Sequence, residues 1–412
     1  MERVVITGMG VVSPIGNNVE KFWRNLTEGK SGISSIDTFD VSNHKAKIAG
    51  IIRDFNADDI LGKNEARRLD RFTQFALAAA EQAWTDSNLD IDDDINLERL
   101  GVYVGSGIGG IETLIDNVDT LREKGPRRVS PTLVPAMISN AAAAQISIKW
   151  NAMGPTMSPV SACAIGNTAI GEAFRLIRFG EADAVFAGGA EAAITDLSLA
   201  SFGNATALST RNDNPTKASR PFDVNRDGFV MSEGAGILIL ESLSHALRRD
   251  AKIYAEVIGY GASSDAYHMV ATHPEGKGAY LAMKMALKNA KISPEEIDVI
   301  SAHATSTEVG DRSETLAIKK LFESKAYQIP ITANKSMLGH MLGAAGGVEA
   351  IALAKSLKEG IIPPTINLEK PDSLCDLDYV PGVARKVEIS TGLSNSFGFG
   401  GHNAAIVLKK YE

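Results

Sequence analysis

The sequence predicts an α/β protein built from two similar halves, and three observations carry that expectation. Short apolar runs bounded by glycine alternate with helix-like stretches along the 412 residues, the pattern of strands and helices stacked in layers. Residues 254–268 (YAEVIGYGASSDAYH) repeat the order of residues 4–16 (VVITGMGVVSPIG): a strand, Gly-x-Gly, then a small polar turn. Residues 166–180 (GNTAIGEAFRLIRFG) and 346–360 (GGVEAIALAKSLKEG) also match, each opening and closing on glycine. A chain of this length suits two domains, and the expected halves are residues 1–250 and 251–412.

The elements follow in order. Residues 4–6, 101–104 and 184–187 read as short buried strands. Residues 70–84 (DRFTQFALAAAEQAW) set Phe72, Phe75, Ala79 and Ala83 three or four apart, one apolar helix face. Residues 90–94 hold four Asp in five and read as a solvated loop. Residues 129–171 carry a single charge, Lys149. Their prolines and polar groups exclude a bilayer span, so this stretch is expected in the interior or in an interface between identical subunits.

Composition narrows the function classes. A formal net charge of −8 repels phosphate backbones and anionic lipid, which argues against nucleic acid and membrane insertion. The two cysteines, Cys163 and Cys375, form no CxxC and no zinc spacing with histidine. A reducing cytoplasm is therefore expected, with neither a disulfide framework nor a metal site. Residues 1–16 lack the basic start and unbroken apolar run of an export signal.

Chemistry concentrates at four places. Cys163, in PVSACAIGNTAIGEAF, precedes a helical pattern with Gly166 loosening the turn. Unpaired N–H groups and the positive dipole end at a helix start favour thiolate; an inert buried cysteine is the alternative. His303, in DVISAHATSTEVGD, follows the apolar run 297–300 and reads as a pocket-edge or a core histidine. His340, in ITANKSMLGHMLGAAGG, lies five residues after Lys335, whose charge would keep the imidazole neutral and a hydrogen-bond donor. The tail GLSNSFGFGGHNAAIVLKK reads as strand, glycine loop, strand; it is an ordinary hairpin or a loop whose free N–H stabilises an oxyanion. Gly8-x-Gly10 does not continue as GxGxxG and residues 105–110 (GSGIGG) lack a P-loop lysine, so no nucleotide site is supported.

Together, SACAIG around Cys163, AHATST around His303, NKSMLGH around Lys335 and His340, and the SNSFGFGGHN tail resemble one family, the β-ketoacyl-[acyl-carrier-protein] synthases, in particular the type II elongating enzymes of bacterial fatty-acid synthesis. ITGMGVVSPIG, GSGIGG, KGPRRVSP and RPFDVNRDGFVMSEGAG fit in the same order, so the resemblance spans the chain. It implies a thiolase-like duplicated α/β fold, five layers αβαβα with two mixed sheets, in a homodimer. It also implies decarboxylative condensation of an acyl group with malonyl acyl carrier protein.

The roles come with the resemblance. Cys163 resembles the acylated nucleophile, His303 and His340 the pair acting in decarboxylation, and Lys335 with Glu349 their support. The N–H groups of Cys163 and Phe399 resemble the oxyanion hole, and Phe399 also the gate. Thr305 and Thr307 resemble pantetheine contacts, whose hydroxyls share a side if the stretch is extended. Ile108, Leu133, Ala162 and Phe202 resemble acyl-tunnel positions, Leu133 reaching the tunnel of the partner subunit. Arg67, Arg68 and Arg71, with Arg127 and Arg128, are the clusters expected to meet an acidic acyl carrier protein. No metal or cofactor is implied beyond the 4′-phosphopantetheine carried by that partner. Ala304, Asn334 and Ile165 depart from the family's usual residues and bear on chain-length preference. A type I-like elongating synthase and a non-catalytic chain-length partner are the alternatives.

Overall fold

The computed structural model describes residues 1–90 and 95–412, so of the expected acidic loop at 90–94 all but Asp90 lies outside the described residues. Among the described residues ten strands form one continuous mixed sheet. The first half supplies β1 (Val4–Val12), β2 (Leu100–Gly105), β3 (Thr156–Met157), β4 (Ala184–Glu191) and β5 (Gly234–Ser242). The second supplies β6 (Ala255–Ser264), β7 (Val299–Ser301), β8 (Ile331–Thr332), β9 (Thr391–Gly398) and β10 (His402–Lys410).

The order across the sheet is β8-β7-β9-β10-β6-β1-β5-β4-β2-β3. Counted within its own half, each unit reads third, second, fourth, fifth, first. Each has parallel pairs on both sides of its second strand and antiparallel pairs joining its fourth, fifth and first. Duplication is thus written into the topology. The units are fused where β1 runs antiparallel to β6, pairing Val4 with Val257, Val5 with Glu256 and Ile6 with Ala255. That join links the two expected mixed sheets edge to edge.

Seven helices matter to the site: α1 (Arg71–Ser87), α2 (Ile111–Lys124), α3 (Ala141–Lys149), α4 (Ile165–Arg178), α5 (Lys277–Ala290), α6 (Glu308–Phe322) and α7 (Ala345–Glu359). Helices α1 and α3 cover the outer face of the first unit, α4 and α7 fill the space between the units, and α5 and α6 cover the second. The layers therefore run αβαβα.

The Gly-x-Gly repeats serve this packing. Glycines two apart on a strand share a face. A Cβ on Gly8 would lie 2.0 Å from the Ala83 carbonyl oxygen and one on Gly10 1.9 Å from that of Ala79. In the second half Gly259 and Gly261 stand 2.4 and 2.1 Å from the carbonyl oxygens of Ala286 and Ala282 by the same measure. Bare strand backbone lets each outer helix lie directly on it. Gly166 acts likewise between the central helices, where a Cβ would meet the Gly347 nitrogen at 2.3 Å. It permits close approach of α4 and α7, which replaces the expectation that it loosens the turn.

The two sheet edges differ. Ile331 and Thr332 of β8 are buried, whereas Thr156 and Met157 of β3 are exposed. Around β3, Val134, Ile138, Ile148, Met153 and Val160 are exposed as well, while Ala141, Ala142, Ala143 and Ile146 face the core. The stretch 129–171 is therefore part interior and part uncovered apolar surface. Among the described residues no helix is long and apolar enough to cross a membrane.

Candidate active site

Cys163 sits in a short 3-10 turn, Ala162–Ala164, that leads into α4. The turn is entered through Ala162 at φ 51°, and Cys163 is buried. The chain tail runs against it: a Cβ on Gly398, the last residue of β9, would come within 2.6 Å of the Ser161 carbonyl oxygen and 2.9 Å of the Cys163 nitrogen. Glycine at that point lets the backbone close in, and Gly400 and Gly401, at φ 81° and 75°, turn it back into β10. As a result the N–H groups of Phe399 and Cys163 both face the sulfur.

His303 follows β7, and His340 follows the short helix Lys335–Leu338 after Gly339 at φ 71°. The His303 backbone N–H donates to Glu314 Oε1 at 2.9 Å, and that of Ala304 to Oε2 at 2.8 Å. The His340 N–H donates to the Val230 carbonyl at 2.7 Å. The two rings lie edge to face with centroids 5.4 Å apart. Phe229 packs against His340 at 5.4 Å and Phe397 against His303 at 5.5 Å. Both Nδ1 atoms are buried without a hydrogen-bond partner among the described residues.

Burial pushes both imidazoles well below their ordinary range, and the Lys335 charge pushes the same way. Both rings are therefore neutral at pH 7, as expected for His340, although burial outweighs the lysine in causing it. Lys335 is itself buried, its Nζ 2.5 Å from Glu349 Oε1. Burial raises the Glu349 carboxyl and Lys335 opposes the rise. This pair stands behind the histidines, off the cavity wall.

The thiol departs from expectation. Burial pushes Cys163 up to about 12, against the opposing pull of Lys335 and the two N–H groups. Position before a helix favours thiolate, but the low-dielectric surroundings win. The resting group is therefore a thiol.

Cys163, His303 and His340 line one cavity of about 380 Å³. Ile108, Ala162, Phe202, Phe229, Leu342 and Phe399 supply apolar wall, and Thr305 and Thr307 stand on it too. The hydroxyls of Thr305 and Thr307 lie 3.0 Å apart. They share a side although Ala304 and Ser306 turn left-handed, at φ 34° and 71°, so the stretch is not an extended one. Phe399 is partly exposed and its ring lies 6.2 Å from that of Phe202, at the mouth. Leu133 is not on this chain's cavity wall.

Arg67, Arg68, Arg127 and Arg128 are exposed, and none forms a salt bridge among the described residues. Arg71 does not join them. Its guanidinium holds Glu233 at 3.0 and 3.2 Å and the Ile52 carbonyl at 2.9 Å.

Two carboxylates escaped the sequence reading. Glu191, buried at the end of β4 and on the cavity wall, accepts from Ser106 Oγ at 2.7 Å, from the N–H groups of Gly107 and Ile108 at 2.9 and 3.2 Å, and from that of Gly343 at 3.0 Å. Glu314 anchors the His303 backbone from α6. A lone charge closing the apolar run AVFAGGAE was the signal for the first, and acids three apart on the apolar face of α6, Asp311 and Glu314, for the second.

This arrangement has known counterparts. The family described as β-ketoacyl synthase, N-terminal domain, matches residues 1–246, and its C-terminal domain matches residues 254–369. The chain belongs to the β-ketoacyl synthase family. It is 50% identical to the 3-oxoacyl-[acyl-carrier-protein] synthase 2 of Synechocystis over 411 residues, covering 100% of this chain and 99% of that protein. The Coxiella burnetii protein of the same name is 49% identical over 408 residues, with 99% and 98% covered. Among solved structures, a β-ketoacyl synthase from Burkholderia phymatum superposes with a TM-score of 0.93 at 35% identity, covering 100% of both chains. A type II polyketide ketosynthase captured in complex with its acyl-carrier protein gives 0.93 at 38% identity, again with full coverage of both. The family is one of acyltransferases, and the fold of these neighbours is the thiolase-like one.

Proposed function

We propose that the protein is an elongating 3-oxoacyl-[acyl-carrier-protein] synthase of type II. The observation that carries this is a buried thiol, backed by two N–H groups, sharing an apolar cavity with two neutral imidazoles. An acyl group moves from the phosphopantetheine thioester of its carrier to Cys163. The sulfur adds to the carbonyl, its proton leaves by way of an imidazole to the departing carrier thiolate, and the N–H groups of Cys163 and Phe399 hold the oxyanion.

Malonyl carrier protein then enters. Its carboxylate leaves as CO2, and the electron pair forms an enolate whose oxygen takes hydrogen bonds from His303 and His340. Neutral rings can do this, because each keeps one N–H to donate while burial disfavours the charged form. The enolate carbon attacks the acyl-Cys163 carbonyl, the Cys163 sulfur departs and takes a proton from solvent, and a 3-oxoacyl chain two carbons longer remains on the carrier. Lys335 and Glu349 keep the rings neutral and placed. Ile108, Ala162, Phe202 and Phe399 shape the acyl cavity, and Thr305 and Thr307 hold the pantetheine arm at its mouth.

The chemistry divides between the halves, residues 1–250 carrying the thiol and residues 251–412 the histidines. The exposed strand β3 and its apolar surround fit a second copy of the chain, since an unpaired, uncharged sheet edge is a pairing surface; Leu133 then serves the partner's acyl cavity. Arg67, Arg68, Arg127 and Arg128 supply the positive charge that an acidic carrier protein needs on a chain of net charge −8. The reaction belongs in the cytoplasm, where both free cysteines stay reduced.

Purified protein given malonyl carrier protein and carrier-bound primers of graded length tests the reading. It should release products two carbons longer together with CO2. Absence of elongation at every length, with the carriers intact, would overturn it.

A further inference from the structure

The loop that carries His303, Thr305 and Thr307 is bent by two non-glycine residues in the left-handed region, Ala304 and Ser306. Such residues relax toward extended backbone unless their surroundings hold them. Ser306 is buried and every polar group on it is engaged. Its N–H donates to Asp311 Oδ1 at 3.2 Å, its carbonyl accepts from the Gly228 N–H at 3.2 Å, and its hydroxyl accepts from the Arg220 N–H at 3.0 Å. Two of these three partners come from residues 220–228, in the other half of the molecule.

Arg226 lies at the centre of that brace. Its Nε donates to the Thr307 carbonyl at 3.1 Å and its Nη2 to the Glu308 carbonyl at 2.8 Å. Its Nη1 donates to the Asp223 carbonyl at 2.8 Å and to Asp372 Oδ2 at 3.0 Å. Asp311 Oδ2 lies 3.2 Å from Nε and takes the Phe222 N–H at 2.8 Å. The guanidinium side chain is 1% exposed and does not reach the cavity wall. Only a planar fork with separate donors can hold two consecutive carbonyls and an acid together.

We propose that Arg226, seated on Asp311, is a positioning residue that locks the loop in the bend placing the Thr305 and Thr307 hydroxyls side by side, and so sets the grip on the carrier's pantetheine arm. This rests on the reading that those threonines hold the arm. His303 is held separately, by Glu314, so the brace governs substrate grip more than chemistry.

The test compares wild type, Arg226→Lys, Asp311→Asn and the double variant Thr305→Ala/Thr307→Ala in steady-state elongation, with iodoacetamide alkylation of Cys163 as a check on the catalytic pocket. Arg226→Lys should raise KM for acyl and malonyl carrier protein about tenfold while kcat changes less than about threefold and alkylation keeps its wild-type rate. The threonine variant should move KM the same way. If the threonine variant raises KM and a folded Arg226→Lys leaves it unchanged, the brace is overturned and the reading of the threonines stands. If the threonine variant leaves KM unchanged, that reading falls and the inference with it. Should Arg226→Lys not fold, Asp311→Asn decides: a KM rise of about threefold at constant kcat supports the brace, and a fall in kcat at constant KM overturns it.

Discussion

Residues 162–164 and 342–344 form matching 3-10 turns, one opening α4 and the other α7. Each contains a non-glycine residue in the left-handed region, Ala162 at φ 51° and Leu342 at φ 47°. The duplicated fold has copied the turn, but the next residue is Cys163 in one and Gly343 in the other. A cavity lies in front of Cys163. In front of Gly343 there is none: a Cβ there would sit 2.8 Å from Glu191 Oε2 and 2.9 Å from the Gly107 nitrogen. The Gly343 N–H is spent on Glu191, whereas that of Cys163 faces its own sulfur. The contrast teaches that the turn alone does not make a reactive site. It becomes one where a cavity opens in front of the second residue of the turn, and stays inert where residues 106–108 and their carboxylate close in.

The largest predicted effect comes from making the two turns alike. Cys163→Gly should lower elongation by at least about 10³-fold, since on the proposed mechanism it removes the covalent nucleophile and leaves only binding and the backbone donors. Its melting temperature should stay near the wild-type value, because the twin turn is already built with glycine. A variant that keeps elongating would show that the turns differ in something other than the thiol.

Next in size, His303→Ala and His340→Ala should each slow malonyl decarboxylation by about 10²–10³-fold, the usual cost of one donor to a developing oxyanion. Both rings have their proton affinity pushed well below the ordinary 6.5. Lowering the pH through 6.5 therefore leaves them neutral, and the decarboxylation rate should stay flat there. An acid limb centred on 6.5 that disappears in one histidine variant would contradict their burial.

Much of this was legible in the sequence, and the failures share a cause. Cys163, His303 and His340 stood out because chemistry-bearing residue types sat at the ends of apolar runs beside small residues. The duplicated order of elements was readable from Gly-x-Gly and from paired helices. Fusion of the two sheets was not, because it rests on three residue pairs joining residues about 250 apart. The pairing of Arg71 was not readable, since its partner Glu233 lies 162 positions away. The thiolate expectation weighed a local feature, the helix start, without knowing the burial that outweighs it. Glu191 was missed because four donors from distant loops, not its own neighbours, give it meaning.

A smaller effect sharpens the steric side of the comparison. Gly343→Ala should destabilise the fold by about 1–3 kcal/mol, as forced contacts in a packed interior do, read as a lowered denaturation midpoint. Cys163→Ala should cost much less, because its side chain already has room. Equal costs would remove the argument that loop closure separates the two turns.

The smallest effect is in the titration of the thiol. With burial pushing Cys163 up to about 12, its alkylation by iodoacetamide should keep rising with pH beyond 9, because the thiolate fraction is still growing there. An exposed cysteine in the unfolded chain levels off above its ordinary pKa of about 8.5. A plateau near neutral pH would restore the picture of a resting thiolate.

The most direct test of the central claim is the intact mass of the protein after mixing with acylated carrier protein, without malonyl carrier protein. The account predicts one acyl group per chain, mapped to the peptide containing Cys163 and discharged on adding malonyl carrier protein as a 3-oxoacyl product two carbons longer. An acyl group that never forms on Cys163, or that forms elsewhere and still discharges to that product, would contradict it.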